Sequence, residues 1–313
     1  MSKKIISLAA GMAMIGGVAM SDTPKVAADI SPVHSLVSRV MLGVGTPDLI
    51  VQAGASPHGY TLRPSEAKAL QDAQMVFWMG ESLSPWMEGA LDTLSSDATI
   101  ITLLERDETI LMEFREGALF EEHDHDDHGD EKHDDHDDHG HDSYDPHAWL
   151  SPDNAKIWLN LIASQLSIVD PENAGTYFAN AAAARLEIEA LTIEVNSLLE
   201  PVRGKKFIVF HDAYQYFEKA FDLSASGAIS LGDASKPSPA RIAEIQGRIQ
   251  EESIDCVLSE PQFNKGLVAT VMAGSKAKTS VIDPLGVGLK PGPDLYSELI
   301  RNMTKTLVDC FES

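Results

Sequence analysis

The feature that most constrains the fold is a strand–helix alternation that occurs twice, on either side of one long helical window. In each half, short apolar runs alternate with amphipathic stretches, a spacing that predicts a mostly parallel sheet with helices on both faces. The window between them, 171–199, has no interior proline and is followed by the stop signals Pro201 and Gly204. We therefore predict an α/β fold of two lobes, each with a mostly parallel sheet flanked by helices, joined by one long rigid helix.

The predicted elements follow the same pattern in both halves. Strands are predicted at 26–30, 49–53, 75–79 and 100–103, and again at 207–210, 227–230, 256–259 and 280–282. Helices are predicted at 32–42, 64–73, 85–94 and 152–169, and again at 213–221, 239–252, 266–277 and 295–311. The apolar side of the long helix is expected to contain Tyr177, Leu186, Ile193 and Leu198, with Glu187, Glu189 and Glu194 facing outward.

Length and shifts in composition predict the domain boundaries. The 313 residues exceed the usual size of one domain. We expect an N-terminal lobe at 21–169, a linker helix at 170–200 and a C-terminal lobe at 201–313. Residues 121–142 contain no apolar side chain, so they are expected to form a disordered acidic loop within the first lobe.

The N-terminus has the composition of a secretory signal. Lys3 and Lys4 precede an apolar stretch of 16 residues, Ile5–Met20, which includes small residues suited to cleavage. The alternative is a membrane anchor, but a spanning helix needs about 20 residues. Residues 1–20 are therefore predicted to be a signal peptide, and the absence of a nearby cysteine argues against a lipid anchor.

Charge restricts the partners of this chain. The formal net charge is −24, and residues 121–142 contribute twelve acids against Lys132, which leaves about half of the excess elsewhere. A surface of this charge repels nucleic acid and anionic lipid but tolerates cations. We expect no nucleic-acid partner.

The chain contains two cysteines, Cys256 and Cys310. In an exported protein two cysteines are expected to form a disulfide. The alternative is a pair of zinc thiolates, which is disfavoured because an oxidising compartment competes for them and neither cysteine belongs to a CxxC pair.

Three short strings place histidines where ligands bind in parallel sheets, beyond the carboxyl ends of strands. His211 directly follows a predicted strand, His58 lies a few residues past another, and His147 begins the helix after the acidic run. Asp283 follows a strand as His211 does. Three imidazoles with a carboxylate or water suit tetrahedral zinc. His34, inside a predicted helix, is instead expected to be a surface or capping residue.

The acidic run holds seven of the eleven histidines, interleaved with aspartates: His123, His125, His128, His133, His136, His139 and His141. A flexible segment must be ordered on binding, so any metal sites here are expected to be weak and several. The functional interpretation is accessory zinc capture or sensing. The alternative is a solvated linker that binds metal incidentally.

Five motifs give the chain a specific resemblance. They are Gly54-Ala55-Ser56-Pro57-His58-Gly59-Tyr60 with Leu62-Arg63-Pro64-Ser65, Pro146-His147-Ala148-Trp149-Leu150-Ser151-Pro152, Val209-Phe210-His211-Asp212-Ala213-Tyr214-Gln215-Tyr216-Phe217, Ser259-Glu260-Pro261-Gln262-Phe263 and Asp283-Pro284-Leu285-Gly286. With these, essentially the whole chain after the signal resembles the periplasmic zinc-binding component of bacterial high-affinity zinc ABC importers (the ZnuA type), in the metal-binding cluster of solute-binding proteins.

The resemblance implies a set of site residues. His58, His147 and His211 would be the zinc ligands, and Cys256–Cys310 would match the disulfide of that group. Some zinc-binding members have a coordinating glutamate directly before the first histidine, where this chain has Pro57. The fourth position is therefore open to Asp283 or a water.

Other residues are expected to surround that site. Glu260 would accept a ring N–H from a ligating histidine, or else cap a helix or form a surface salt bridge. Trp149, Tyr214 and Phe217 either line the cleft or belong to the core. In manganese-binding relatives a glutamate matches His211, and an imidazole favours zinc.

The resemblance also implies a function. The protein would be a monomeric periplasmic binding protein, not an enzyme, that delivers Zn²⁺ to an inner-membrane ABC permease. The chain has no GxxxxGK[ST] motif, so the ATPase would be a separate subunit. One alternative is a periplasmic zinc buffer or chaperone. A less favoured one is a zinc-dependent hydrolase, for which the chain lacks an HExxH motif.

Overall fold

The computed structural model describes residues 23–115, 120, 144–230, 237–262 and 265–312. The predicted signal peptide at 1–20 and the acidic histidine run at 121–142 lie outside the described residues. Within them, two four-stranded parallel sheets are flanked by helices, which confirms the predicted α/β class. No helix in these ranges is long and apolar enough to cross a membrane.

The N-terminal lobe is built on the first sheet, with strand order β2-β1-β3-β4. Its strands are β1 (Val26–Ala28), β2 (Asp48–Leu49), β3 (Met75–Trp78) and β4 (Thr99–Thr102). The helices between them are α1 (Ser31–Val40), α2 (Pro64–Asp72) and α3 (Pro85–Leu94), and each has a proline in its first two positions. Proline suits these positions because its missing N–H would have no helical partner there.

Two helices lie between the two sheets in chain order. After a 3₁₀ turn at Ala148–Leu150, α4 spans Pro152–Val169, and after a second such turn at Pro171–Asn173, α5 spans Ala174–Leu199. Helix α5 has 26 residues and packs against α1 and α4 on one side of the molecule and α9 on the other. The predicted long helix is therefore present and contacts both lobes.

The C-terminal lobe repeats the arrangement, with strand order β6-β5-β7-β8. Its strands are β5 (Phe207–His211), β6 (Ala228–Ser230), β7 (Cys256–Ser259) and β8 (Lys278–Val281). Its helices are α6 (Gln215–Phe221), α7 (Pro239–Glu251), α8 (Lys265–Val271) and α9 (Leu295–Glu312). The central strands of each sheet are buried on both faces, as their continuous apolar runs predict.

The predicted buried face of α5 is wrong except at Tyr177. Leu186 and Ile193 are 66% and 73% exposed, and Leu198 is also exposed. The buried positions are instead spaced three or four residues apart: Tyr177, Ala181, Ala184, Ile188, Leu191, Val195 and Leu199. Leu186 comes nine positions after Tyr177, about two and a half turns, which places it on the opposite side of the helix. The predicted outward direction of Glu187, Glu189 and Glu194 agrees with the structure.

His34 is buried in α1, not at the surface as predicted. Its Nε2 lies 3.1 Å from the carbonyl oxygen of Pro47, and its Nδ1 lies 3.5 Å from Ser38 Oγ. Burial lowers the pKa of His34, opposed in part by the Pro47 carbonyl and Asp48. The helical pattern placed His34 correctly in α1. It did not reveal that the segment leading into β2, which contains Pro47, covers this side of the helix.

Direct hydrogen bonds also join the two lobes. The backbone N–H of Tyr296, at the start of α9, donates to Ser35 Oγ in α1 at 2.9 Å, and its hydroxyl donates to the Trp149 carbonyl at 3.0 Å. In return, Trp149 Nε1 donates to the Pro284 carbonyl at 2.9 Å. All of these side chains are buried, so the relative position of the lobes is fixed close to the segment that carries His147.

Cys256 and Cys310 form the predicted disulfide, which joins the start of β7 to α9. Both are buried, and their separation in sequence is 54 residues. Closing a loop of this length stabilises the fold by about 4 kcal/mol in the chain-entropy description.

We expect reduction of this disulfide to lower the melting temperature by several degrees, because the unfolded chain regains that loop freedom. Calorimetry with and without reductant measures the effect. The double variant C256S/C310S serves as the control, since its melting temperature should not respond to reductant. A free-thiol assay that finds two thiols in the native protein would contradict the pairing.

Acid should destabilise the protein partly through His34. The unfolded chain takes up a proton at this residue near a pKa of about 6.5, whereas the folded chain does so only at lower pH. The unfolded state therefore binds more protons below about pH 6.5, and stability falls as the pH drops through that range. Denaturant unfolding measures the free energy of unfolding at each pH. Between pH 7.5 and 5.5 this free energy should fall less for His34→Gln than for the wild type, and an equal fall in both proteins would contradict the role of His34.

Candidate metal site

Three histidines from both lobes meet between the sheets. His58, His147 and His211 each offer a ring nitrogen, and these atoms all lie within 4.8 Å of one another. His58 comes from the loop between β2 and α2, His147 precedes the 3₁₀ turn before α4, and His211 is the last residue of β5. The structure thus brings together the three histidines that sequence reasoning selected.

His211 is held by Glu260. Its Nδ1 lies 2.5 Å from Glu260 Oε1, and both residues are buried. The contact follows from topology, because β5 and β7 are neighbouring parallel strands whose carboxyl ends meet at the same edge of the sheet. Gln262 Nε2 donates to the second oxygen of Glu260 at 2.8 Å. A carboxylate only accepts hydrogen bonds, so the His211 proton resides on Nδ1 and Nε2 is left with its lone pair.

His147 is held in the same way by Asp145, a residue that sequence reasoning did not assign to the site. Asp145 Oδ1 accepts from the backbone N–H of His147 at 2.9 Å and from its Nδ1 at 2.7 Å. Burial alone would raise the pKa of Asp145, but the neighbouring His147 and the hydrogen bonds that Asp145 accepts outweigh it and lower this pKa. The sequence feature that could have identified Asp145 is the Asp-Pro-His string, because the carboxylate of an aspartate can bond the backbone N–H two positions later.

The two fixed imidazoles point their remaining nitrogens at each other. His147 Nε2 and His211 Nε2 are 3.4 Å apart. Two nitrogens that each lie 2.0–2.1 Å from a tetrahedral zinc ion are separated by about 3.3 Å. With both protons on Nδ1, two lone pairs face each other in a buried space, an arrangement that a cation between them stabilises.

His58 completes the cluster from a loop whose backbone is anchored. Its ring centroid lies 5.5 Å from that of His147 and 6.4 Å from that of His211. The carbonyl of Pro57, the preceding residue, accepts from Ser84 Oγ at 3.1 Å and from Trp86 Nε1 at 2.7 Å. His58 is only partly buried, unlike the other two histidines, so it lies on the more accessible side of the cluster.

Asp283 lies outside the three-histidine cluster. It follows β8, as predicted, but its carboxylate accepts backbone N–H groups from the turn that follows, at 2.6–3.0 Å: Leu285, Gly286 and Val287. These bonds explain why an aspartate suits the start of this turn. Oδ1 accepts two of these bonds and Oδ2 accepts one, so a lone pair remains on Oδ2. The assignment of Asp283 as a fourth ligand stays a prediction, with water as the alternative.

Two of the three predicted aromatic residues border the histidines. The Trp149 ring lies 5.2 Å from that of His147, and the Tyr214 ring lies 6.4 Å from that of His211. Phe217 instead packs on Phe221 in the core. All three are buried, and Trp149 and Tyr214 give the site an apolar lining beside His147 and His211.

A buried ion-pair network next to the site was also missed by sequence reasoning. Arg115 binds both Asp212, which directly follows His211, and Glu218 in α6. Burial raises the pKa of Asp212, although Arg115 opposes the rise. The residues are 97 and 103 positions apart in sequence, so no local pattern pairs them.

The arrangement has the chemistry of a site for a nitrogen-preferring divalent cation. Two of its imidazoles are oriented by hydrogen bonds to buried carboxylates, which would also offset the charge of a bound cation. The seven histidines of the acidic run, His123 to His141, lie outside the described residues, so their accessory role stays a prediction.

Comparison with known proteins agrees with this reading. Residues 26–310 match the ZnuA family, described as zinc-uptake complex component A, periplasmic. A curated relative from Brucella abortus (strain 2308), named high-affinity zinc uptake system protein ZnuA, is 44% identical over 303 residues, which cover 91% of each chain. The protein of the same name from Paracoccus denitrificans (strain Pd 1222) is 44% identical over 318 residues, which cover 97% of this chain and 96% of the relative.

Solved structures show the same fold. A crystal structure of ZnuA superposes with a TM-score of 0.76, covers 93% of this chain and 100% of its own, and is 23% identical in sequence. At this identity the likeness concerns the fold alone. On the family match and the 44% identity of full-length relatives, the chain belongs to the ZnuA family, the periplasmic component A of zinc-uptake complexes.

Proposed function

We propose that this protein is a solute-binding protein that captures Zn²⁺ between its two lobes and delivers it to an inner-membrane ABC permease for high-affinity zinc uptake. The observation that carries the proposal is the three-histidine cluster, in which both lobes contribute ligands and two rings are fixed by buried carboxylates. Membership of the ZnuA family supplies the transport context.

The proposed zinc ligands are His58, His147 and His211. His147 and His211 would bind through Nε2, because their Nδ1 atoms bond Asp145 and Glu260. The 3.4 Å spacing of two Nε2 atoms supports tetrahedral coordination. A set with three imidazoles favours zinc over manganese, which prefers oxygen ligands. Asp283 or a water supplies the fourth position, and Glu260 and Asp145 orient the rings.

The proposed location is the periplasm, reached through a signal peptide at 1–20 that is removed on export.

The division into lobes at 21–169 and 201–313 with a linker helix at 170–200 is likewise proposed, and the separate sheets with α5 between them support it. The permease and a separate ATPase subunit would be the partners of a monomeric binding protein.

The site is built for binding rather than for catalysis. ZnuA family members are transport proteins, and the residues of the site agree with that role. A zinc hydrolase needs a general base within hydrogen-bond reach of the metal-bound water. The carboxylates of Asp145 and Glu260 are instead occupied by ligand Nδ1 atoms, so they orient histidines.

Replacing any ligand with alanine should abolish tight zinc binding. We expect His58→Ala, His147→Ala and His211→Ala each to weaken zinc affinity by more than the roughly 10- to 100-fold cost of losing a group that orients a ligand. Chelator competition with purified protein measures the affinity. Zinc transport by the reconstituted permease and ATPase should fall in parallel.

The matched control is His34→Gln, which changes a buried histidine that lies in α1 outside the cluster. It should keep wild-type zinc affinity even where it lowers stability, and a large loss of affinity there would mean that the site is wrongly placed.

A periplasmic zinc buffer would bind zinc equally well. It would not stimulate transport in the reconstituted system, and that result would contradict delivery to a permease.

Deleting residues 121–142 should leave one tight zinc site. The proposed cluster uses no residue of this run, so the deletion should remove only weak additional sites. A zinc titration against a chelator counts both classes, and His211→Ala in the deleted protein should then eliminate tight binding. Loss of all tight binding on deletion alone would identify the run as the main metal site and refute the inter-lobe cluster.

A further inference from the structure

The start of helix α6, in the C-terminal lobe, reaches into the backbone of the N-terminal lobe next to the metal site. The buried hydroxyl of Tyr216 accepts the backbone N–H of Met112 at 2.9 Å and donates to the backbone carbonyl of Asp145 at 2.9 Å. Asp145 is the residue whose carboxylate fixes His147. A side chain of one lobe thus contacts the residue that orients a ligand of the other.

The hydroxyl of Tyr216 occupies a place that a backbone hydrogen bond would otherwise fill. Asp145 N–H donates to the Met112 carbonyl at 2.8 Å, and Glu113 and Tyr144 form an antiparallel bridge beside this pair. In a regular antiparallel pair, Met112 N–H would return a bond to the Asp145 carbonyl. Here the Tyr216 hydroxyl is inserted between these two groups and bonds both.

The neighbouring Gln215 holds the side chain of the same aspartate. Its Nε2 donates to the Glu113 carbonyl at 2.9 Å and to Asp145 Oδ2 at 3.2 Å. The other oxygen, Oδ1, bonds His147. Asp145 is therefore fixed at its backbone by Tyr216 and at its carboxylate by Gln215, and both residues come from the opposite lobe.

We propose that Tyr216, assisted by Gln215, is a positioning residue for zinc binding, which places the N-terminal-lobe ligand His147 through Asp145 when the two lobes are together. The proposal rests on the zinc-binding function proposed above. It adds to that function a residue, Tyr216, whose side chain would touch neither the ion nor a ligand. Withdrawing the hydroxyl leaves the part-buried N–H of Met112 and the buried carbonyl of Asp145 without the hydrogen bonds that Tyr216 makes, which costs free energy until the segment moves. Any such movement shifts His147 relative to His211.

The experiment compares Tyr216→Phe with Tyr177→Phe. Both remove one hydroxyl from a fully buried tyrosine, and the Tyr177 hydroxyl bonds Asp170 at 2.7 Å, at the beginning of the α5 region. Zinc affinity is measured by chelator competition, stability by thermal unfolding, and ligand geometry by the visible absorption spectrum of the Co²⁺-substituted protein. The spectrum responds to the arrangement of ligands around the ion and not to global stability.

Tyr216→Phe should lower zinc affinity by about tenfold, the lower end of the effect of losing a group that supports a ligand, and should change the Co²⁺ spectrum. Tyr177→Phe should lower the melting temperature while affinity and spectrum stay as in the wild type. Gln215→Leu, at a partly exposed position, should lower affinity less than Tyr216→Phe and in the same direction, and it provides the test should Tyr216→Phe not fold.

The outcomes separate this inference from the function on which it rests. Wild-type affinity and spectrum in both Tyr216→Phe and Gln215→Leu would overturn the positioning role while zinc binding by the wild type stands. An equal loss of affinity in Tyr177→Phe would also overturn it, because the effect would then follow stability. Failure of the wild-type protein itself to bind zinc tightly would overturn the proposed function and this inference with it.

Discussion

The geometry of the histidine cluster depends on the fixed direction of two imidazole rings. Asp145 and Glu260 each accept the Nδ1 proton of a site histidine in a buried environment, so His147 and His211 present their Nε2 lone pairs to the same point. The orientation of both rings is thus set by the protein's own carboxylates, an arrangement that suits a nitrogen-preferring cation.

Because His147 and His211 belong to different lobes, the geometry of the site depends on how the lobes are held. Helix α5 packs against helices of both lobes. On one side of the site, the Tyr296 hydroxyl donates to the Trp149 carbonyl and Trp149 Nε1 donates to the Pro284 carbonyl across the interface. Tyr216 and Gln215 make the corresponding contacts to the Asp145 segment. At the proposed zinc site, a small displacement of one lobe would alter the spacing of the two Nε2 atoms, which tetrahedral zinc requires to be about 3.3 Å.

The surroundings of the site agree with transport rather than chemistry. The carboxylates beside the histidines are occupied in orienting them, and the aromatic rings of Trp149 and Tyr214 close the space around them. His58 alone lies on a partly exposed loop, which makes its side of the cluster the accessible one. The ion pairs of Arg115 with Asp212 and Glu218 add a further inter-lobe connection close to His211.

The sequence by itself determined the α/β class, the two halves, the long helix, the cysteine pair and the three histidines that meet. The class, the halves and the long helix follow from hydrophobic periodicity, which is local. The cysteine pair follows from the presence of two cysteines in a chain with an export signal, and the histidines from their positions near predicted strand ends or a helix start and from their motifs. Only the tertiary structure decided that Leu186 and Ile193 face solvent, that His34 is buried, and that Asp145, Tyr216 and Arg115 surround the site. These outcomes depend on which surfaces approach one another, and partners 70 to 100 residues apart, such as Asp145 with Gln215 and Tyr216 or Arg115 with Asp212, leave no periodic trace in the chain because their contact is created by packing alone.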